Sequence, residues 1–226
     1  MDQRRADAPR QMSLKLPEAP RLYPPGSYLV TGANRDAYLI IRAFTEGQEA
    51  FLVLSGPRGS GKTHLLHELF GASGIAVATD AELGARDDVV ALDDCHKSED
   101  PMRLLRFLES RAARGLRTVL AGDGRPRTWA GGLKDLETRL EAMPRAELGE
   151  PDEPLLEAVL GRHFAARRLK TSKDFAAFSA PRIPRRFAAA AAFADAAAAA
   201  AHEGASLNVS LAKMIIENLF EAPVQT

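Results

Sequence analysis

The chain has 226 residues in which 30 Lys and Arg balance 30 Asp and Glu, leaving a formal net charge of +0 and a pI near 7.0. That balance gives no bulk field for nucleic acid or a membrane surface, so any contact with DNA has to be local or carried by a partner. A single cysteine, Cys95, excludes an internal disulfide and suits a reducing cytosol. No secretory signal or membrane span is visible: the longest apolar run starts at Phe187, is mostly alanine and is interrupted by Asp195, so the expected location is cytoplasmic.

Residues 1–25 are polar and rich in proline (Pro9, Pro17, Pro20, Pro24, Pro25) and read as a flexible tail. Within it, Gln11-Met-Ser-Leu-Lys-Leu16 has the make-up of an extended docking peptide. Leu14 and Leu16 would enter an apolar groove while Gln11 fixes the register by hydrogen bonds and Lys15 stays in water. The competing reading is a leucine pair that staples the tail to its own core.

From Tyr28 the pattern becomes globular, with a short Tyr28-Leu-Val30 segment, a helix from about Asn34 to Phe44 and an apolar strand, Phe51 to Leu54. Then comes Gly56-Pro57-Arg58-Gly59-Ser60-Gly61-Lys62-Thr63, which fits G-x-x-x-x-G-K-[ST] at every fixed position, followed by a helix-like stretch to Phe70. The glycines let successive N–H groups face phosphate oxygens, and the following helix adds its own unpaired N–H groups. Lys62 would reach the β- and γ-phosphates of ATP or ADP, and Thr63 would ligate Mg²⁺.

A strand is expected at Gly74 to Ala78 and another, Val89 to Asp93, ends in the pair Asp93-Asp94. A buried strand ending there brings Asp93 to the metal shell and leaves Asp94 to orient or deprotonate water, although Asp-Asp also suits a helix N-cap. Asp94 is shorter than a Glu in that place, which points to slow hydrolysis. Cys95, beside this pair, reads as a small packing residue. A helix at Pro101 to Arg114 and a strand at Arg117 to Ala121 complete an alternating series, the signature of a parallel sheet covered by helices on both faces.

After Glu150-Pro151 the strands stop. Asp152-Glu153-Pro154 opens a helix with Leu155, Leu156, Val159, Leu160 and Phe164 on its apolar positions. Further helices are expected at Ser172 to Phe178, Arg185 to His202, closed by Gly204, and Val209 to Phe220. The expected organisation is the tail, an α/β nucleotide-binding domain at 26–150, and a small all-helical lid at 151–226.

This order of phosphate loop, Asp-Asp, strand with a polar tip and helical lid resembles the AAA+ ATPases. Four stretches are similar to the DnaA family of bacterial replication initiators: Leu29-Val-Thr-Gly-Ala-Asn-Arg35, Gly61-Lys-Thr-His-Leu-Leu-His67, Leu92-Asp-Asp94 and Ala121-Gly-Asp-Gly-Arg-Pro126. The resemblance spans about residues 26 to 220. It implies that Asp123 senses the γ-phosphate, and that Gly132-Leu-Lys-Asp-Leu-Glu-Thr-Arg-Leu140 is an arginine-finger box with Arg139 as the finger. It also implies that Ile183-Pro-Arg-Arg-Phe187 is a second sensor in which Arg185 touches nucleotide, with Arg182 and Arg186 as rivals. Leu29, Val30 and His64 join Gly56 to Thr63 and Arg185 as candidate nucleotide contacts. The plainer readings are a turn acid at Asp123 and a solvated helix arginine at Arg139.

Two departures narrow the resemblance. The chain ends at Thr226, without the helix-turn-helix domain of the initiators, and only 31 positions separate Lys62 from Asp93, too few for their extra helical insertion. A DnaA-type core without those parts resembles the Hda family, regulators that inactivate DnaA by promoting hydrolysis of its ATP. In that family a sliding-clamp-binding peptide precedes the core, and Gln11, Ser13, Leu14 and Leu16 match its Q-x-S-L-x-L form. The resemblance implies DnaA and the DNA polymerase III β clamp as partners, weak intrinsic ATPase activity, no sequence-specific DNA binding, and compatibility with a homo-oligomer. The competing function is a helicase-loader-like or DnaA-like ATPase that uses its own hydrolysis.

Overall fold

The computed structural model describes residues 23–221 apart from 81, 82, 84 and 85, so the peptide Gln11 to Leu16 lies outside the described residues. The first part runs α1 (Arg35–Glu46), β1 (Phe51–Gly56), α2 (Lys62–Phe70), β2 (Ile75–Val77), β3 (Ala91–Asp93), α3 (Pro101–Ala113), β4 (Thr118–Asp123), α4 (Lys134–Ala142) and β5 (Arg145–Glu147). All strand pairs are parallel and the spatial order is β2-β3-β4-β1-β5.

Helices cover both faces because the strand residues alternate between two apolar clusters. Leu52, Leu54, Val119 and Ala121 pack with Ile41 and Phe44 of α1 and Leu65 and Leu66 of α2. Val53, Leu92 and Leu120 pack on the other side with Leu104, Leu108, Leu136 and Leu140 of α3 and α4. Strands buried on both faces carry nearly continuous apolar runs, which is why β1 and β4 are legible in the sequence.

The short Tyr28 to Val30 segment is outside the sheet: its backbone bonds to side chains, Tyr28 N to Glu68 Oε2 (3.3 Å) and Leu29 O accepting from Asn34 Nδ2 (2.8 Å). Conversely, β5 is a strand that the pattern conceals. It has three residues, charged at both ends, with Ala146 alone fully buried, and it sits at the sheet edge beside β1.

The second part is helical: α5 (Glu153–Ala166), α6 (Phe175–Ser179), α7 (Phe187–His202) and α8 (Val209–Ile216). Asp152 caps α5 by accepting from Leu155 N at 3.0 Å, and Pro154 sits where its missing N–H costs nothing. Alanines let α7 approach its neighbours closely, and the rings of Phe164, Phe175 and Phe193 fill the middle, with centroids 5.3 Å and 5.5 Å apart around Phe175. Past α7, Gly204 takes φ +88 and the chain closes with Ala205 N bonded to Ala200 O at 2.9 Å. Helix α6 starts three residues later than its sequence signal, because Ser172 N bonds across to Leu207 O at 3.0 Å. Helix α8 ends at Ile216 and widens into a π-turn over Glu217–Glu221. Among the described residues no helix is long and apolar enough to cross a membrane.

Candidate nucleotide site

Strand β1 delivers Gly56 to the carboxyl edge of the sheet. A Cβ there would stand 2.4 Å from the Leu148 carbonyl, so the position tolerates only glycine while β5 continues alongside. The chain then turns through Pro57 to Ser60, with Gly59 (φ +80) and Gly61 (φ +94) in left-handed conformations, into the first turn of α2. Lys62 is buried at 6% exposure, and its Nζ donates to Gly56 O (3.0 Å), Pro57 O (2.8 Å) and Ser60 Oγ (3.4 Å).

Placing β4 between β1 and β3 sets Asp123 in register with Gly56. Asp123 Oδ1 pairs with Lys62 Nζ at 2.8 Å and Oδ2 lies 3.2 Å from His96 Nε2. The backbone of Asp123 is fixed too: its N–H donates to His96 Nδ1 (3.0 Å) and its carbonyl accepts from Trp129 Nε1 (2.7 Å). Trp129 lies so close over Gly122 that a Cβ at 122 would meet its ring at 2.8 Å. Beside this group, Thr63 Oγ1 donates to Asp93 Oδ2 at 2.6 Å, and Asp93 Oδ1 accepts from Asp94 N at 2.8 Å. The ends of β1, β3 and β4 thus bring Lys62, Thr63, Asp93 and Asp123 together. The Asp94 backbone is left-handed (φ 57) and its carboxylate pairs with Lys97 at 2.8 Å. Cys95 is fully buried and burial pushes its thiol well above the ordinary range, as a packing residue requires.

The lid meets the loop directly. Arg185 and Arg186, before α7, line a small cleft with Pro57, Arg58, Gly59 and Ser60, and a Cβ on Gly61 would come within 3.1 Å of the Phe187 ring. The cleft measures about 30 Å³, far below the ~300–1,000 Å³ of small-molecule sites. Arg185 Nη2 holds Glu153 Oε1 at 3.1 Å, both side chains about half exposed.

The segment before α1 closes the third side. Leu29 is half-buried and Val30 exposed, and buried Asn34 shapes the turn by accepting from Thr31 N at 2.8 Å. Asp152, besides capping α5, accepts from Thr31 Oγ1 and Ala33 N, both at 3.2 Å, and so ties this segment to the lid. His64 stacks on Tyr23 (4.9 Å) and meets Ser27 Oγ at 2.8 Å; burial holds its pKa below 6.5 against the pull of Glu68, which keeps the ring neutral at pH 7. Arg139 is not part of this assembly: on the last turn of α4 it pairs with Glu109 of α3 at 3.1 Å, and among the described residues no ion pair or hydrogen bond links it to the strand tips.

Sequence reasoning passes over His96 and Trp129, and names Asp152 only as a helix start and Phe187 only as the start of the alanine-rich run and the end of the Ile183-Pro-Arg-Arg-Phe187 stretch. The first is findable from its place three residues after Asp93, and Asp152 from its capping position. Nothing in the sequence marks the contacts of Trp129 or Phe187, which depend on tertiary packing.

Five parallel strands in this order, a phosphate loop leaving β1, and a helical lid define an AAA+ P-loop fold. Within that class the fold is shared with structures of DnaA and of RuvB. The chain is similar to domain III of the replication initiation protein DnaA of Thermotoga maritima (TM-score 0.69, 16% identity, covering 84% of this chain and 94% of that one). It is also similar to AMPPCP-bound DnaA of Aquifex aeolicus (TM-score 0.61, 17% identity, 79% of this chain and 65% of that one). A third similar structure is the RuvB Holliday junction branch migration motor of Thermotoga maritima (TM-score 0.59, 16% identity, 83% of this chain and 66% of that one). No protein-family model and no curated protein matches the chain.

Proposed function

We propose that the strand-tip group binds ADP or ATP with Mg²⁺, and that the chain is an Hda-like regulator that docks on the sliding clamp and promotes hydrolysis of DnaA-bound ATP. The observation that carries the nucleotide reading is the convergence of Lys62, Thr63, Asp93 and Asp123 at adjacent strand ends, in a fold shared with an AMPPCP-bound DnaA. Phosphates would replace the carbonyl oxygens now held by Lys62, with the loop N–H groups around them and Asp123 positioned to register the γ-phosphate through Lys62. Thr63 Oγ1 and Asp93 Oδ2 are two hard oxygen donors of the kind Mg²⁺ takes alongside phosphate and water. When bound, that ion would neutralise charge on the phosphates. Arg185, with Arg58 and Arg186 near it, would close on the nucleotide from the lid.

Asp94 holds Lys97 in a surface ion pair and is shorter than a Glu in that place, which supports weak turnover by the chain itself and a role exerted on a partner. Arg139 suits that role. It is solvent-facing, always charged and planar, and its surface pair with Glu109 is the kind that contributes little and is readily exchanged. The sequence resemblance supplies DnaA as the owner of the ATP and the β clamp as the anchor for Gln11, Ser13, Leu14 and Leu16. A motor or loader that hydrolyses its own ATP is the second reading, favoured by the likeness to the RuvB branch migration motor.

Hydrolysis of radiolabelled ATP on DnaA, followed with DNA-loaded clamp and this protein, tests the proposal. The parent should accelerate it. Arg139→Ala should lose about 10²-fold or more of that acceleration while still binding ADP and clamp. Equal stimulation by Arg139→Ala removes the finger assignment, and DNA-stimulated hydrolysis by the isolated chain, without DnaA, supports the motor instead.

A further inference from the structure

The lid carries a concentration of positive charge that the nucleotide site does not use. From Arg162 to Lys173 the chain has Arg162, Arg167, Arg168, Lys170 and Lys173 and no carboxylate. Two of these are engaged, Arg162 with the Ser27 carbonyl and Arg167 with Asp195. Arg168, Lys170 and Lys173 have no ion pair among the described residues, and all three are exposed. The nearest acids along the chain are Asp174, next to Lys173, and Glu157, five residues before Arg162, while Glu203 follows the last residue of α7.

The run is held open by its partner loop. Thr171 and Leu207 form a parallel β-bridge, and Ser172 N bonds to Leu207 O at 3.0 Å, so residues 168–172 and 205–208 stand as two walls of a cavity of about 550 Å³. Arg168, Lys170, Thr171, Ser172, Ser206 and Asn208 contribute its polar lining. Its larger apolar members, Leu169 and Leu207, pack into the lid core. Arg168 has φ 54, just past the end of α5, a left-handed position that glycine takes freely and arginine does not.

We propose that this two-loop platform binds the phosphate backbone of duplex nucleic acid without reading its sequence. Unpaired guanidinium and ammonium groups beside hydroxyl and amide donors are the side chains that hold phosphate oxygens. The lining has no aromatic ring on which a splayed base would stack, which selects a duplex over a single strand. It also has no exposed large apolar side chain, which an anchored acidic peptide or a bilayer would engage. A neutral chain thereby acquires a local contact with DNA in place of a bulk field.

The test is fluorescence anisotropy of a labelled duplex of arbitrary sequence against the full chain, from about 50 to about 200 mM salt, with the triple variant Arg168→Gly, Lys170→Gln, Lys173→Gln. The two cations of the lining, Arg168 and Lys170, predict a logarithmic salt slope of about −1.8 and a loss of roughly 12-fold across that range. The variant should abolish that binding and its slope, with ADP affinity and the thermal midpoint retained; glycine relieves the left-handed backbone at 168, so misfolding does not explain the loss. The proposal is overturned if the parent fails to bind duplex at low salt, if the variant keeps the parent's slope, or if single-stranded DNA binds tighter than duplex. It is equally overturned if polyglutamate or anionic vesicles bind through these residues while duplex does not.

Discussion

The strand tips and the lid contribute to one candidate site by opposite means. At the tips, Lys62 and Asp93 are buried and the polar groups are already bonded to one another: Lys62 to Asp123, Asp123 to His96, Thr63 to Asp93. In the lid, Arg185 is half exposed and held by one surface carboxylate, Glu153, while Phe187 lies against the loop at Gly61. The difference separates a preformed half, whose polar groups are fixed by three strands, from a half held by a surface ion pair and one ring contact. Preorganised groups meet their ordering cost in folding, and exposed ones meet it when a ligand binds.

That contrast can be broken at the cores beneath each half. Phe193→Ala removes the ring that joins Phe164 and Phe175 and should cost about 4 kcal/mol, read by chemical denaturation. If the halves are as distinct as their cores, the loss should fall mainly on hydrogen-exchange protection of the lid helices; equal loss across the sheet would show one cooperative unit. Gly56→Ala probes the preformed half. A methyl group 2.4 Å from the Leu148 carbonyl meets backbone that cannot step aside, so about 3 kcal/mol and the register of β5 should be lost. An unperturbed midpoint would mean that the loop is less constrained than its geometry states.

Acid gives the smallest effect and touches both halves, through His64 on α2 and His163 on α5. Burial lowers each folded pKa below 6.5, with the Arg167 charge adding to the effect at His163. The unfolded chain therefore takes up protons first as pH falls through about 6.5, and stability should decline from there until the lowered folded values are passed. Above that range these groups make stability independent of pH. Thermal midpoints of the parent and of His64→Gln at several pH values check this; a variant with the parent's acid sensitivity would remove His64 from the account.

The sequence reveals the preformed half far more fully than the lid half. G-x-x-x-x-G-K-[ST] and the apolar runs of β1 and β4 are local signals, because a phosphate loop needs fixed spacing and a doubly covered strand needs continuous apolar residues. The three-residue β5 has no such signal, since one buried alanine between two charges is indistinguishable from a loop. The start of α6 is hidden because the Ser172 bond to Leu207 comes from a segment more than thirty residues away. The pairing of His96 with Asp123 likewise exists only once β3 and β4 lie side by side.

Equilibrium binding of fluorescent ADP and ATP to the parent and to Lys62→Ala tests the central claim most directly. Lys62 contacts the loop carbonyls and Asp123 and belongs to neither apolar cluster, so the variant should keep its fold by circular dichroism. The account predicts micromolar or tighter binding by the parent and a loss of about 100-fold or more in the variant, as removal of a buried, multiply bonded charge from a phosphate site requires. Unchanged affinity in Lys62→Ala, or no binding by the parent, would contradict it.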